Sequence, residues 1–268
     1  MHPKLFFFGF EIPAYTLFSI LALVVVAFGG YFFALSRGFS KRDAFLMVFF
    51  MSISTFLGAR ILNFFVNYSY YENNFFKIFE FSTRGFSLYG GVLGAVLSGL
   101  IVSYKRKINL MRFADSMTPF VGIGIVLMRI GCFLNGCCFG KETDSIFGVV
   151  FPKFSLAHIH QLNGSVFGSA TVRAVHPTQL YELFFALICV IFAFYALKRK
   201  FKDGTVFLIC GALFSAFRWV NMYFRELNYP DYVLKFVYPS IYLSIIVFCL
   251  FLFFRINNSF KRKLFKFF

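Results

Sequence analysis

The chain has 268 residues, 59% of them apolar and 14% charged, with 46 Phe and a single Trp. A soluble domain carries about a quarter charged residues. Uncharged runs such as 17–35 and 237–254 exceed what one soluble core could bury, and disorder, a collagen repeat and a disulfide-stapled secreted fold are excluded by the same composition. The formal net charge is +16, from 27 Lys+Arg against 11 Asp+Glu. Such a balance would suit nucleic acid if the charges were not placed as they are.

An apolar run at 13–35 predicts a first span. It lacks a basic leader and a small-x-small cleavage signal, so it reads as a retained helix and not a removable signal peptide. Further spans are expected at 44–66, 86–104, 114–134, 178–197, 205–225 and 236–254, each about long enough to cross the ~30 Å hydrocarbon layer. The expected fold is an all-α polytopic membrane protein of seven transmembrane helices, one membrane-embedded domain over residues 1–268. The long stretch outside the spans, about 135–175, is expected to form a small outward-facing subdomain between helices 4 and 5, since a loop of that length is usually functional.

The connections at 36–43, 104–113 and 198–204 and the tail at 255–268 hold 3, 4, 4 and 5 basic residues. The opposite-side segments hold 7 (Lys4, Lys77, Arg84, Lys141, Lys153, Arg173, Lys235), balanced by 7 acids. Short basic loops stay cytoplasmic. The N-terminus is therefore expected outside and the C-terminus inside, with membrane lipid and no nucleic acid as partner.

Four basic residues remain within the spans: Arg60, Arg129, Arg218 and Arg225. Each costs about 2.5–3.5 kcal/mol at a helix centre, and the internal acids are only Asp115 and Glu182. An anionic ligand completes the charge balance most simply, and the planar guanidinium fork suits a phosphate. Snorkelling or helix capping is the plainer account, best suited to Arg60 and Arg225. Arg218 and Arg225 are seven residues apart, which places both on one face of a continuous helix. That pattern points to a phospholipid head group.

Gly90, Gly91, Gly94 and Gly99 interrupt the third span. Close helix packing explains them; alternatively, Tyr89 and the bare backbone at Gly90 and Gly91 line the site. At the end of the fourth span stands Met128-Arg-Ile-Gly-Cys-Phe-Leu-Asn-Gly-Cys-Cys-Phe-Gly140. Asn135-Gly136 breaks a helix there, and Gly140 permits unusual backbone. His176-Pro-Thr-Gln-Leu-Tyr-Glu182 opens the fifth span, with Pro177 suited to a first helical turn. His176, an imidazole at the mouth of a span, is a candidate general base.

Taken in order, these segments resemble the prolipoprotein diacylglyceryl transferase family. Ile12-Pro-Ala-Tyr15 is similar to its opening motif, Gly58-Ala-Arg60 to its second-helix Gly-Gly-Arg element, and Gly85-Phe-Ser-Leu-Tyr-Gly-Gly-Val-Leu-Gly94 to the segment usually containing His-Gly-Gly. Arg129 through Gly140 resembles the family signature and Phe147-Gly-Val-Val-Phe-Pro152 the stretch after it. His176-Pro-Thr-Gln-Leu-Tyr-Glu182 is close to identical to the family motif, and Arg218 and Arg225 resemble its paired arginines. Tyr89, Cys132, Cys137 and Met222 depart from the usual His, Asn, Glu and Glu.

The resemblance implies transfer of a diacylglyceryl group from phosphatidylglycerol to the lipobox cysteine of a prolipoprotein signal peptide, in the bacterial cytoplasmic (inner) membrane, with release of glycerol phosphate. By the matching positions, Arg129 holds the lipid phosphate with Arg218 or Arg225 assisting. Tyr89, Gly90 and Gly91 contact substrate, Tyr15, Asn135 and Gly140 shape the site, and His176 transfers or positions a proton. No metal or cofactor is called for.

Two other readings stay open. One is a non-catalytic phospholipid-binding paralogue. The other is a zinc or thiol-redox protein using Cys132, Cys137 and Cys138 with His158 and His160, although Cys-x4-Cys-Cys is a poor zinc spacing. Cys189, Cys210 and Cys249 lie within spans and are read as packing residues. A retinal protein is excluded, because the span at 236–254 contains no Lys.

Overall fold

The computed structural model describes residues 4–7, 10–72, 86–153, 155–164, 172–199, 201–227 and 229–264. Lys77, Glu80, Arg84, Gly85 and residues 154 and 165–171 of the expected subdomain lie outside them. Among the described residues seven helices are long and apolar enough to cross a membrane. They are α1 (Ala14–Ser36), α2 (Lys41–Val66), α3 (Leu88–Arg106), α4 (Leu110–Asn135), α6 (Thr178–Lys198), α7 (Thr205–Met222) and α8 (Val233–Asn257). A shorter helix, α5 (Leu156–Gly164), sits in the segment between α4 and α6.

The seven expected spans are all present, with ends shifted by a few residues. The α4 helix begins early because the Asn109 side chain accepts from the Arg112 backbone N–H at 3.1 Å, capping the first turn. Single turns of π-helix at Val25–Gly29 and Val233–Val237 lie in α1 and at the start of α8. The sequence does not announce a hairpin ahead of α1: β1 (Lys4–Phe7) pairs antiparallel with β2 (Phe10–Pro13), Phe7 opposite Phe10.

Burial on these helices follows the logic of lipid and not of water. Ala34, Ala44, Ala186, Ala193 and Ala196 are buried, whereas Phe28, Phe32, Phe184, Ile188 and Ile191 are exposed. Between helices, small residues allow close backbone approach; toward lipid tails, large apolar side chains meet a medium as apolar as themselves.

The chain forms two compact units, residues 26–117 and residues 1–25 with 118–268. In the first, α2 and α3 meet through glycine. A methyl group on Gly58 would strike the Gly90 carbonyl, one on Gly90 the Gly58 carbonyl, and one on Gly94 the Ser54 carbonyl. Buried Ala34, Ala44, Met47 and Phe113 form this unit's core. At its basic end Arg106 pairs with Asp43 at 2.8 Å, and Ser40 caps α2 by accepting from Asp43 N–H.

In the second unit, Cys189, Ala193, Ala196, Val206 and Cys210 pack α6 against α7, and Phe185 stacks on Phe217 with ring centroids 4.3 Å apart. Gly131 of α4 admits Phe18 and Tyr15 of α1, since a methyl there would lie 2.9 Å from Phe18 Cβ. The expected subdomain has its own small core of Phe151, Ala157 and Val175.

Candidate functional site

The site in the second unit begins where α4 stops. Gly136 and Cys138 both adopt left-handed backbone, with φ of 68° and 58°, and Gly136 N–H and Cys137 N–H close back on the carbonyls of Phe133 and Cys132. This is a helix C-terminus ended by left-handed residues, as Asn135-Gly136 foretells.

The strap that follows is fixed on both sides. Gln179 Nε2 donates to the Cys137 carbonyl at 2.7 Å and Thr178 Oγ1 to the Cys138 carbonyl at 2.8 Å. Gly140 N–H donates to the His176 carbonyl and His176 N–H to that of Lys141; on the other side Lys141 N–H donates to Phe224 and Glu226 N–H to Phe139. Gly140 sits between these neighbours so tightly that an added methyl would lie 2.6 Å from His176 Cβ and 2.7 Å from its carbonyl oxygen. No other residue fits there without moving backbone.

Arg225 therefore does not extend the helical face of Arg218. Helix α7 ends at Met222, and Arg225 pairs with Gly140 as an isolated antiparallel bridge. The two arginines still converge, because both reach Glu182. Glu182 is 1% exposed, and its carboxylate lies 2.6 Å from Arg129 Nη2, 3.8 Å from Arg218 Nε and 3.8 Å from Arg225 Nη1. Asn221 Nδ2 donates to the same carboxylate at 3.2 Å and to the Thr178 carbonyl at 3.3 Å.

Three positive groups round one negative group leave a local charge of +2. Of the three guanidiniums, that of Arg129 alone is within hydrogen-bond distance of the carboxylate; the other two hold ion-pair distances longer than a hydrogen bond. Arg225 Nε is a buried donor with no partner. Such a group is costly to leave unmet, and an anion with several acceptor oxygens would meet it.

His176 Nδ1 stands 3.1 Å from the Tyr181 hydroxyl, and its ring meets Phe224 edge-on at 5.1 Å. Tyr15 is within electrostatic reach of Cys132, Cys137 and Cys138, and the Asn135 side chain hydrogen-bonds Cys137. Hydrogen bonding with Cys132 and Cys137, together with the Arg225 and Arg129 guanidiniums, lowers the Cys138 thiol pKa. The second unit thus gathers Tyr15, Arg129, Asn135, Gly140, His176, Arg218 and Arg225.

Tyr89, Gly90 and Gly91 belong to the other unit. Gly90 and Gly91 are buried against the α2 backbone and Thr55, so close helix packing is the account their geometry carries. Arg60 is buried with its guanidinium 4.2 Å from the Phe86 ring centroid. Sequence reasoning counts Glu182 among the internal acids but misses it as the hub of the arginines, and misses Asn221 as its donor and Gln179 as the donor that holds the strap. The available signal was the shortage of intramembrane acids: with so few, whichever carboxylate lay near the arginines had to serve several of them.

These features define a multi-pass membrane protein holding a net-positive cluster among its helices. The family model for prolipoprotein diacylglyceryl transferase matches residues 3–257, and the chain belongs to that family. A phosphatidylglycerol–prolipoprotein diacylglyceryl transferase of Geobacter sulfurreducens is 31% identical over 78% of this chain and 76% of its own length. A relative of the same name from Clostridium tetani is 28% identical over 84% and 86%, and one from Rickettsia felis is 34% identical over 65% and 62%.

Proposed function

We propose that this protein transfers the diacylglyceryl group of phosphatidylglycerol to the lipobox cysteine of prolipoprotein signal peptides, as one membrane-embedded domain of the bacterial cytoplasmic membrane. The observation that carries the reading is the arginine trio on Glu182, which keeps a surplus of +2 and an unmet guanidinium donor where a lipid phosphate can bind.

In the reaction the cysteine sulfur attacks the glyceryl carbon of the lipid. A C–S bond forms as the C–O bond to phosphate breaks, the thiol proton passes to a base, and glycerol phosphate departs. Arg129, Arg218 and Arg225 hold the phosphate and take up charge on the leaving group, the kind of fixed electrostatic stabilisation that favours a transition state. Glu182 orders the three guanidiniums without cancelling them. His176, whose Nδ1 faces Tyr181, receives or positions the thiol proton, and the thiolate is the stronger nucleophile. Tyr15 and Asn135 line the approach, and Gly140 lets the strap pass close to His176.

Purified protein incubated with phosphatidylglycerol vesicles and a lipobox peptide should add one diacylglyceryl mass to the peptide. Lipid binding without peptide modification would instead identify a phospholipid-binding paralogue. Replacing Cys137 and Cys138 together with Ser separates the thiol-redox reading: transfer continues in that variant if the reading proposed here holds.

A further inference from the structure

The transfer chemistry uses none of the protein's own thiols, yet three of them are drawn together at the end of α4. The sulfur atoms of Cys132, Cys137 and Cys138 all lie within 4.8 Å of one another. The linear spacing hides this. Cys132 is in the last helical turns and the adjacent pair lies beyond the break, but the left-handed backbone at Gly136 and Cys138 folds the pair back over the helix end.

The arrangement is held in place before any ligand arrives. Cys137 N–H donates to the Cys132 carbonyl at 3.1 Å, and the carbonyls of Cys137 and Cys138 accept from Gln179 and Thr178. Little ordering is then required of the donors on binding. Three thiolates at metal–sulfur distances of about 2.3 Å would sit about 4 Å apart in a trigonal arrangement, a spacing this group can adopt with small side-chain rotations.

The donor set also selects the ion. Structural zinc takes four ligands, and among the described residues the group contains three Cys and no fourth His, Cys, Asp or Glu. His158 and His160 are not part of it. Soft thiolates favour Cu(I), which is satisfied by three. Charge agrees: Cu(I) with three thiolates carries −2, and a guanidinium stands beside that group, Arg129 Nη1 lying 3.8 Å from Cys132 Sγ.

We propose that Cys132, Cys137 and Cys138 form a binding site for one soft d10 cation of the Cu(I) type. On binding, each thiol releases its proton to solvent and three metal–sulfur bonds form; the copper stays monovalent and nothing is oxidised.

The test is anaerobic titration of the purified protein with Cu(I) in competition with a coloured Cu(I) chelator, followed by X-ray absorption at the copper edge. The expected result is one Cu(I) retained per chain, with three sulfur neighbours. Cys137→Ser and Cys138→Ser should each weaken retention at least about tenfold, the loss that follows even from removing an outer-shell partner, while Cys189→Ser leaves it unchanged. No retention by the wild-type protein, fewer than three sulfur neighbours, or full retention in both variants would overturn the proposal. If the variants do not fold, the sulfur count on the wild-type protein decides. Because copper is read directly, the outcome is independent of whether diacylglyceryl transfer is observed.

Discussion

Glu182 is the residue on which the arginines depend. With its carboxylate removed, Arg129, Arg218 and Arg225 would face one another with no anion between them, and breaking a buried pair costs about 3–5 kcal/mol. Glu182→Ala should therefore lower the thermal stability of the purified protein markedly, and phosphatidylglycerol should restore part of it by supplying the missing anion. The arginines carry the chemistry in a different way. Arg129→Ala removes a donor aimed at the departing phosphate, a change worth about 10²–10³-fold in rate. Transfer to a lipobox peptide should fall by that factor while the protein remains membrane-inserted; unchanged transfer would remove Arg129 from its assigned role. The arginines are legible in sequence because each is costly in hydrocarbon. Their meeting on Glu182 is not, since positions 129, 182, 218 and 225 belong to three helices and a loop.

At the scale of elements, the strap after α4 and the α2–α3 pair both rest on glycine, for different reasons. Gly140 is wedged between Phe224 and His176, so Gly140→Ala must push the strap off its hydrogen bonds. Limited proteolysis between 136 and 142 should become faster, and transfer should be lost with it. In α3, Gly94→Val would drive a side chain into the Ser54 carbonyl, an overpacking of about 1–3 kcal/mol or more. Gly99→Ala should be tolerated, because its nearest neighbours would lie at an ordinary 3.5 Å. Comparing the melting temperatures of these two variants checks the packing account. Sequence shows the glycines but not which of them touches backbone. Likewise, a uniform helical repeat extends the Arg218 face to Arg225, whereas the chain leaves the helix at Met222 to pair with Gly140.

At the scale of the whole molecule, charge is expected to set orientation. The basic connections alternate along the sequence with less basic ones between the seven apolar helices, and short basic loops resist translocation. A fluorescent protein fused after Phe268 should be bright, alkaline phosphatase at the same point inactive, and phosphatase inserted near residue 145 active. The reverse pattern would overturn the expected topology and turn the strap of residues 136–142 toward the cytoplasm.

The sequence by itself determined that this chain is a polytopic membrane protein, where its seven helices lie and which of its charges are out of place. Hydropathy and charge act locally along a segment, and a bilayer responds to them segment by segment. Tertiary structure alone decided that one carboxylate gathers three guanidiniums, that three sulfurs meet past a helix end, and that Gly90 and Gly94 face a neighbouring backbone. Those outcomes depend on distances between elements remote in the chain, fixed by packing and by a few left-handed residues that no periodicity encodes.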